Sequence, residues 1–413
     1  MQTITVVDAR MGRGKSSAAI QYMNEHKTEK RFMYITPYLT EVERICECCD
    51  FDQPDSDRMS KSSELKLHLR QRHNVAASHS LFYLMDEEAL TLVENGGYTL
   101  IIDEEIETVS KVQITAKDFG LITSSLAVVD ENGRCSWIDK NYEGKLSGYK
   151  DIADTGSLFV RDETMLEILN PDLLTKFDDV FMLTYLFRGS AMEAYLKYAG
   201  FDYRIVGIEG IGRHYRFSNA PDSPPPLDLH NLITIVDTDK MNRVGDDRTA
   251  LSKNWYAARS ADNKDIKVLR NNLDNFFRHM TGGSNETRLW TCFKDDADKI
   301  MSFGGRYRKN FLQVNARATN EFAAKTDVAY MINRFADPNI VKFFGTCGIE
   351  IDPDTFALSG MLQWIWRSAI RNNQHINLYI PSKRMRTLLL NWIDHVSEGG
   401  VINEPVELPK VSA

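Results

Sequence analysis

Thr3-Ile4-Thr5-Val6-Val7 followed by Ala9-Arg10-Met11-Gly12-Arg13-Gly14-Lys15-Ser16-Ser17 is the stretch that decides the fold. The first run is apolar and β-branched, which predicts a buried strand. The residues after Ser17, Ala18-Ala19-Ile20-Gln21-Tyr22-Met23, predict a helix. A strand, a glycine-containing turn ending in Lys-Ser, and a helix, in that order, make a phosphate-binding loop. The sequence therefore predicts an α/β fold with a polyphosphate site near its N-terminus.

Each residue type in this loop has a chemical reason to be there. Gly12 and Gly14 allow the turn that points backbone N–H groups and the helix N-terminus at phosphate. Lys15 is expected to reach the β- and γ-phosphates, and the hydroxyl of Ser16 is expected to bind Mg²⁺. We therefore predict ATP and Mg²⁺ as cofactors, with these residues around the phosphates: Gly12, Arg13, Gly14, Lys15, Ser16 and Ser17.

An acidic cluster follows the apolar run Tyr98–Ile102. In enzymes with a phosphate-binding loop, a carboxylate at the end of a neighbouring strand holds Mg²⁺ and the next one orients the attacking water. Asp103 fits the first role, together with Ser16, and Glu104 fits the second. Glu105 is the next candidate for the water-orienting carboxylate.

Short apolar runs alternate with helical patterns along the chain, which predicts parallel sheets flanked by helices. At 413 residues the chain has room for about two to three domains. Three consecutive prolines mark a linker over 219–229, so we predict a first domain over 1–218, a second over 230–396 and a peripheral tail over 397–413. The predicted strands are Thr3–Val7, Phe32–Ile35, Thr99–Ile102, Val180–Thr184, Leu232–Val236, Leu289–Phe293, Phe311–Val314, Val328–Ile332 and Ile376–Ile380.

One part of the first domain lacks this alternation. Residues from about 112 to 156 are rich in Gly, Ser, Asp and Asn, and Asp130-Glu131-Asn132-Gly133 is typical of a hairpin turn. This composition predicts a subdomain inserted in the first sheet.

Composition and charge exclude several classes of protein. The net charge is −8, from 50 basic and 58 acidic side chains, which argues against coating nucleic acid by bulk electrostatics. No apolar run approaches the 18 or so residues of a membrane span. The N-terminus has no basic leader, and six cysteines do not form a secreted disulfide pattern, so we expect a cytoplasmic protein with reduced thiols.

The order of the motifs resembles that of superfamily 2 helicases, whose two RecA-like domains bind ATP. The resemblance covers roughly residues 3–381. The matching segments, from motif I to motif VI, are Ala9–Ser16, Tyr34–Pro37, Ala77–Ser80, Ile102–Glu105, Leu183–Thr184, Leu289–Phe293, Ala318–Asp327 and Gln363–Arg371.

The resemblance implies two RecA-like domains and a nucleic-acid strand that crosses both. It implies that Arg367 and Arg371 stabilise the charge on the γ-phosphate during hydrolysis. Their spacing of four, one more than is usual in the family, predicts that both lie on one face of a helix. The nucleic-acid contacts that it implies are Thr36, Pro37, Ser78, His79, Thr319 and Asn320.

The function expected from this resemblance is that of an ATP-dependent DNA helicase or translocase, of the kind that phages and mobile elements use in replication or recombination. Its expected partners are single-stranded or duplex DNA, with RNA left open, and replication or recombination proteins; a membrane is not among them. The alternative is a nucleic-acid-dependent ATPase switch or loader that binds DNA and partner proteins without separating strands.

A second kind of site has to be weighed. Cys46 and Cys49 precede His68 and His73 in a Cys-x2-Cys…His-x4-His order, which suits zinc, although the gap between the pairs exceeds that of a C₂H₂ finger. The alternative is that the cysteines end one helix and the histidines lie on another, solvated helix. Both interpretations stay open at the level of sequence.

Overall fold

The structure is a computed structural model that describes residues 3–56, 59–161, 163–211, 214–223, 227–301, 305–314 and 320–398. The strands are β1 Thr3–Asp8, β2 Arg31–Thr36, β3 Val75–Ser78, β4 Tyr98–Asp103, β5 Val109–Lys111, β6 Ala127–Val129, β7 Cys135–Trp137, β8 Leu158–Arg161, β9 Thr164–Ile168, β10 Asp179–Thr184, β11 Asp202–Val206, β12 Ile208–Ile211, β13 His214–Phe217, β14 Ile233–Ile235, β15 Arg288–Thr291, β16 Asp327–Tyr330 and β17 Ile376–Tyr379.

The α-helices range in length from about one turn to about four turns. They are α1 Lys15–His26, α2 Leu39–Cys49, α3 Lys61–Arg70, α4 His79–Tyr83, α5 Glu87–Gly96, α6 Ala116–Leu121, α7 Ser147–Asp154, α8 Asp172–Thr175, α9 Ala191–Tyr198, α10 Leu229–Leu232, α11 Asp239–Asn242, α12 Lys253–Ala257, α13 Lys264–Asn275, α14 Ala297–Ile300, α15 Pro338–Thr346, α16 Pro353–Ile365 and α17 Lys383–Ser397.

The contacts divide the chain into two units. The first comprises the described residues of Met1–Ala9, Gly14–Pro221 and Asp337–Ile351, and the second those of Arg10–Arg13, Asp222–Ala336 and Asp352–Ala413. The main division falls between Pro221 and Asp222, within the linker expected at 219–229.

The first unit is built on a six-stranded parallel sheet with the order β11-β1-β10-β4-β2-β3. Its strands are apolar on both faces: Ile4 and Val6 enter one core cluster, while Val7 and Ala9 enter the other. Sheets buried on both faces need such near-continuous apolar runs. Because all six strands run the same way, β1, β2, β3, β4 and β10 present their carboxyl ends at one edge, where ligands bind in open α/β sheets.

Helix α15 belongs to the first unit although its sequence lies far beyond the linker. The rings of Phe343 and Phe344 are buried and pack edge-on against Tyr198 of α9, with centroids 5.1 and 6.2 Å apart. We expected residues 230–396 to form one domain, so the placement of Asp337–Ile351 differs from that expectation. Burial of these two phenylalanines in the first core explains it.

The inserted part of the first unit has a core of its own. The antiparallel strands β5, β9 and β8 and the hairpin β6–β7 surround a cluster that includes Trp137, Cys135 and Leu158. The hairpin turn expected at Asp130–Gly133 is present, with Gly133 at φ +83°. The insert extends past the expected 112–156, because Val109 and Ile168 pair at its base.

The second unit contains a four-stranded parallel sheet with the order β14-β17-β16-β15. Its core holds large aromatic side chains such as Trp290, Tyr256 and Tyr379. The prediction of a strand at Phe311–Val314 was wrong, because Phe311 makes only an isolated bridge to Trp290.

The predicted fold class, parallel sheets flanked by helices with an inserted subdomain, is confirmed for the sheets and helices that the structure describes. Among the described residues, no helix is both long enough and apolar enough to cross a membrane.

Candidate nucleotide site

The predicted phosphate-binding loop joins the end of β1 to the start of α1. Gly12 has φ +75° and Gly14 has φ +94°, which are left-handed conformations that glycine adopts without steric cost. The helix begins at Lys15, and the N–H of Ala18 donates to the carbonyl oxygen of Gly14 over 2.8 Å. The N–H groups that precede this bond in the first turn have no acceptor within the helix, so this turn can bind an anion.

Gly14 is constrained by its surroundings as well as by its backbone. A Cβ atom there would lie 2.6 Å from Cδ1 of Tyr215, which belongs to β13. A larger residue at this position would have to displace the tyrosine ring. Tyr215 therefore packs directly against the loop, a contact that the sequence did not predict.

The charged side chains of the loop have partners in this structure. Nζ of Lys15 donates to the carbonyl oxygen of Ala9 over 2.5 Å, and Nε of Arg13 lies 3.4 Å from Oδ1 of Asp222. Ser17, the last predicted loop residue, is exposed on the first turn of α1. Binding of a polyphosphate by Lys15 would exchange a backbone carbonyl for a charged acceptor, which makes a stronger hydrogen bond.

Asp103 lies at the end of β4 and gathers polar groups from three other elements. The hydroxyl of Tyr34, on β2, donates to Oδ2 of Asp103 over 2.7 Å, and the hydroxyl of Ser16 approaches the same oxygen to 3.4 Å. The Nε2–H of His79 donates to the backbone carbonyl of Asp103 over 3.1 Å. Burial, then the charges of Glu104 and Glu41, raise the pKa of Asp103 to about 7.

The two carboxylates after Asp103 differ in their surroundings. Glu104 is half-buried and has φ +67°, a strained conformation for a residue other than glycine, and its N–H donates to the carbonyl oxygen of Leu183 over 3.1 Å. Oε1 of Glu105 accepts a hydrogen bond from the hydroxyl of Thr184 over 3.2 Å. Thus Leu183-Thr184, compared above with motif III, contacts the acidic cluster directly.

The donor set suits the cofactors that the sequence predicts. A serine hydroxyl and a carboxylate approach each other at the sheet edge, and such hard oxygen ligands are those that Mg²⁺ prefers. The loop that precedes α1 offers backbone N–H groups and a lysine ammonium to phosphate. When bound beside phosphate, Mg²⁺ would neutralise negative charge during phosphoryl transfer.

A known protein is similar to this chain over nearly its whole length. The chain is 36% identical over 414 residues to the SPbeta prophage-derived uncharacterized protein YonV of Bacillus subtilis (strain 168), across 96% of this chain and 100% of YonV. The chain belongs to the YonV family. Residues 227–393 also match the family model for the YonV C-terminal Rossmann-like domain, which agrees with the parallel sheet of the second unit.

Several solved structures are similar to this YonV-family chain at low sequence identity. An apo structure of XPD matches with a TM-score of 0.51 and 12% identity, over 96% of each chain. Xpd4 of S. tokodaii matches with a TM-score of 0.47 and 11% identity over 94% of each chain. The helicase Lhr of Mycobacterium smegmatis matches with a TM-score of 0.41 and 10% identity, over 96% of this chain and 46% of Lhr. The XPD likeness supports the helicase-like fold that the motifs predict, and shows the fold alone.

The two arginines of motif VI do not share a helix in the YonV-family chain, so that expectation was wrong. Helix α16 ends at Ile365, which leaves half-buried Arg367 in a turn and exposed Arg371 in the 3₁₀-helix Ala369–Asn372. Ser368 lies between the two arginines in the chain and is fully buried. Its hydroxyl donates a hydrogen bond to the carbonyl oxygen of Ile365, at the end of the helix. The arginines therefore have unlike surroundings.

The predicted nucleic-acid contacts also differ from one another. Thr36 is fully buried, and the ring of His79 is 8% exposed and bonded to Asp103, so neither presents its side chain to a strand, contrary to expectation. Burial lowers the pKa of His79 to about 4. Pro37 and Ser78 are half-buried, and the Ser78 hydroxyl caps α4 by accepting from the N–H of Leu81.

Two predicted nucleic-acid contacts remain, Thr319 and Asn320. Thr319 lies outside the described residues. Asn320 begins the 3₁₀-helix Asn320–Phe322. Both stay predictions.

Sequence reasoning missed the tyrosines that frame the site, Tyr34 and Tyr215. Tyr34 lies within the predicted strand Phe32–Ile35, yet its side chain is fully buried and its hydroxyl donates to Asp103. The available signal was its position near the carboxyl end of a predicted parallel strand, where polar groups of neighbouring strands converge.

Proposed function

We propose that this YonV-family chain is an ATPase that uses hydrolysis to move on, or separate, nucleic-acid strands. The observation that supports it most strongly is the convergence of Ser16 and Tyr34 on one oxygen of Asp103, beside a helix that begins at Lys15. This brings the phosphate-binding loop and the acidic cluster together at one sheet edge, as phosphoryl transfer requires. The helicase-like fold is compatible with the proposal.

In this proposal each residue has one task. Gly12, Gly14 and the first turn of α1 bind phosphate oxygens, and Lys15 holds the terminal phosphates. Ser16 and Asp103 would hold Mg²⁺, and Glu104 orients the attacking water. Glu104 suits that task because its strained backbone is fixed by the bond to Leu183.

ATP hydrolysis by the purified chain, with and without single-stranded DNA, duplex DNA and RNA, tests the proposal. We expect hydrolysis that one of these nucleic acids stimulates. Lys15→Ala should abolish hydrolysis in a folded protein, since it removes the ammonium that holds the terminal phosphates. Lys27→Ala is the matched control, because Lys27 is an exposed lysine at the other end of the same helix. Equal turnover by the Lys15→Ala and Lys27→Ala variants would exclude the ATPase.

A strand-separation assay, run together with the hydrolysis assay, distinguishes a helicase from an ATPase switch or loader. A helicase separates duplex only while it hydrolyses ATP. A switch or loader hydrolyses ATP in response to nucleic acid and separates nothing. We favour the translocase because the motifs extend from the first unit into the second, as in the helicases that the sequence resembles.

A further inference from the structure

Three side chains that can bind a metal ion meet at the beginning of β3, outside the nucleotide site. Nδ1 of His73 lies 2.5 Å from Oδ2 of Asp52, and Nδ1 of His68 lies 3.3 Å from the same oxygen. The three ligand atoms all lie within 4.8 Å of one another. The imidazole rings are 5.9 Å apart and inclined by 36°.

The end of α3 presents the two histidines together. The N–H of His73 donates to the carbonyl oxygen of His68, and that of Arg72 donates to Leu69, which is the pattern of a Schellman turn. Such a turn needs a left-handed residue, and Arg72 takes it at φ +60°, although glycine would adopt it at lower cost. The surrounding structure therefore holds a strained turn that places His73 beside His68.

Asp52 is fixed to the same place by a separate part of the chain. Helix α2 ends at Cys49, and the backbone then runs along the free edge of β3. There the N–H of Asp52 donates to the carbonyl oxygen of Asn74, and the N–H of Ala76 donates to that of Asp52, each over 2.9 Å. Two local backbone patterns thus direct one carboxylate and two imidazoles at a common point.

We propose that Asp52, His68 and His73 form a binding site for a divalent transition-metal ion of the zinc type. Two imidazole nitrogens and one carboxylate oxygen are a common protein donor set for zinc, and they leave a fourth position for water or another donor. Ligand atoms around tetrahedral zinc lie roughly 3.3 Å apart, given metal–nitrogen distances of about 2.0–2.1 Å. The contact between Asp52 and His68 already has that length, and that between Asp52 and His73 needs to open by less than about 1 Å.

The structure changes the ligand set that the sequence suggested. Cys49 is buried in the core beneath α2, where the side-chain amide of Asn24 approaches its sulfur, so it is not a ligand. Cys46 is half-buried, and its sulfur is not part of the described cluster of ligand atoms formed by Asp52, His68 and His73. Asp52, which the Cys-and-His pattern did not include, takes the place of the cysteine pair.

The site is separate from the nucleotide site. It adjoins Val75, the first residue of β3, whereas His79, which follows the other end of that strand, bonds to Asp103 of the acidic cluster. A bound ion would join the segment after α2 to the end of α3, across the edge strand of the sheet. Its expected effect is to stabilise this edge of the first unit.

Zinc binding by the full chain tests the proposal. The protein is stripped with EDTA and titrated with Zn²⁺ against a chromophoric zinc indicator, in excess Mg²⁺ so that oxygen-rich sites stay filled. We expect one tight equivalent, and a loss of affinity of about a hundredfold in His73→Gln and in His68→Gln. Zinc should raise the melting temperature of the parent by roughly 5 °C and leave that of His73→Gln unchanged.

The control is His26→Gln. His26 is a surface histidine of the same unit that lies 3.9 Å from the carboxylate of Glu29, so it tests whether any histidine–carboxylate pair suffices. Should His68→Gln fail to fold, His73→Gln still decides, because the side chain of His73 is exposed. Absence of a tight equivalent in the parent, or equal affinity in His73→Gln and His26→Gln, would mean that the cluster consists of ion pairs only.

Discussion

The hydroxyl of Tyr34 donates a hydrogen bond to Oδ2 of Asp103 over 2.7 Å, in a fully buried position. The same oxygen is the one that the hydroxyl of Ser16 approaches to 3.4 Å. The tyrosine thus orients the carboxylate and supplies a donor that favours its ionised form, against the burial that disfavours it. Residues on β2, β4 and α1 are linked through one oxygen atom.

Tyr34→Phe should weaken Mg²⁺-dependent nucleotide binding by about tenfold to a hundredfold, since a hydrogen bond to a charged group contributes about 1.5–3 kcal/mol. The pKa of Asp103 should rise further in this variant. Titration of the nucleotide with and without Mg²⁺ measures the effect. Tyr98→Phe is the matched control, because this buried tyrosine bonds to the carbonyl of His73 at the other end of the sheet. Equal losses in both variants would contradict a specific role for Tyr34.

Binding of Mg²⁺ and nucleotide should weaken as the pH falls below about 7. Burial and neighbouring carboxylates raise the pKa of Asp103 to about 7 in the metal-free protein, so the carboxyl must lose a proton before it can bind the ion. Isothermal titration between pH 6 and pH 8, in buffers of different ionisation enthalpy, should show proton release on binding at the lower pH. No proton release at pH 6 would contradict the raised pKa.

The same shift predicts how the metal-free protein responds to pH. An acid whose pKa is raised on folding stabilises the folded state at low pH and loses that contribution as the pH rises through about 4 to 7. Asp103→Asn removes the buried charge, so it should melt at a higher temperature than the parent at pH 8 and abolish hydrolysis. Thermal unfolding at pH 5 and pH 8 measures the difference, which should be small at pH 5.

Gly14→Ala should impair nucleotide binding more than Gly12→Ala. Both positions require a left-handed backbone, which costs alanine about 1–2 kcal/mol. Only at Gly14 would the new methyl group also meet Tyr215, since no atom lies within 4 Å of the Cβ position at Gly12 among the residues that the structure describes. Adding Tyr215→Ala should recover part of the affinity of Gly14→Ala. A lack of recovery would place the whole effect in the backbone.

Glu104→Gln should retain ATP and stall hydrolysis, whereas Glu105→Gln should reduce the rate mildly. Glu105 accepts a hydrogen bond from Thr184, and a glutamine side-chain oxygen can accept it equally well. Loss of the Glu104 carboxylate removes the group expected to orient water. Two measurements distinguish the two variants: the amount of ATP that each binds, and the rate of hydrolysis in a single turnover. A stalled Glu105→Gln beside an active Glu104→Gln would exchange their assignments.

Arg367→Ala should cut hydrolysis by about a thousandfold with a modest change in nucleotide affinity, if the arginine stabilises transition-state charge. The effect of Arg371→Ala is expected to be similar or milder. The two lie in a turn and a 3₁₀-helix, so each has to be tested alone. Arg308→Ala is the control, because Arg308 is an exposed arginine of the second unit paired with Asp298. Parental rates in both variants would remove motif VI from the proposed mechanism.

The strand, loop and helix at the N-terminus were predictable because their signals are local. Apolar β-branched residues favour a buried strand, glycines at positions 12 and 14 permit left-handed turns, and Lys15 with Ser16 identify the anion that the turn binds. The same local signals placed β2, β4, β10, β16 and β17 to within a residue or two. Edge strand β3 was missed, because Val75-Ala76-Ala77-Ser78 is short and poor in β-branched residues.

The tertiary structure decided which distant residues meet. Tyr34 and Ser16 lie 69 and 87 positions before Asp103. Tyr34 reaches Asp103 because β2 pairs with β4, and Ser16 reaches it because α1 follows β1, which pairs with β10, the other neighbour of β4. In the same way, only the tertiary structure shows that the ring of His79 is buried beside Asp103 and that α15 belongs to the first unit. It also shows that Asp52, and not Cys49, lies beside His68 and His73. Strand order and helix packing arise from burial of apolar surface between segments far apart in sequence. A local sequence pattern therefore does not predict which distant segment will pack against it.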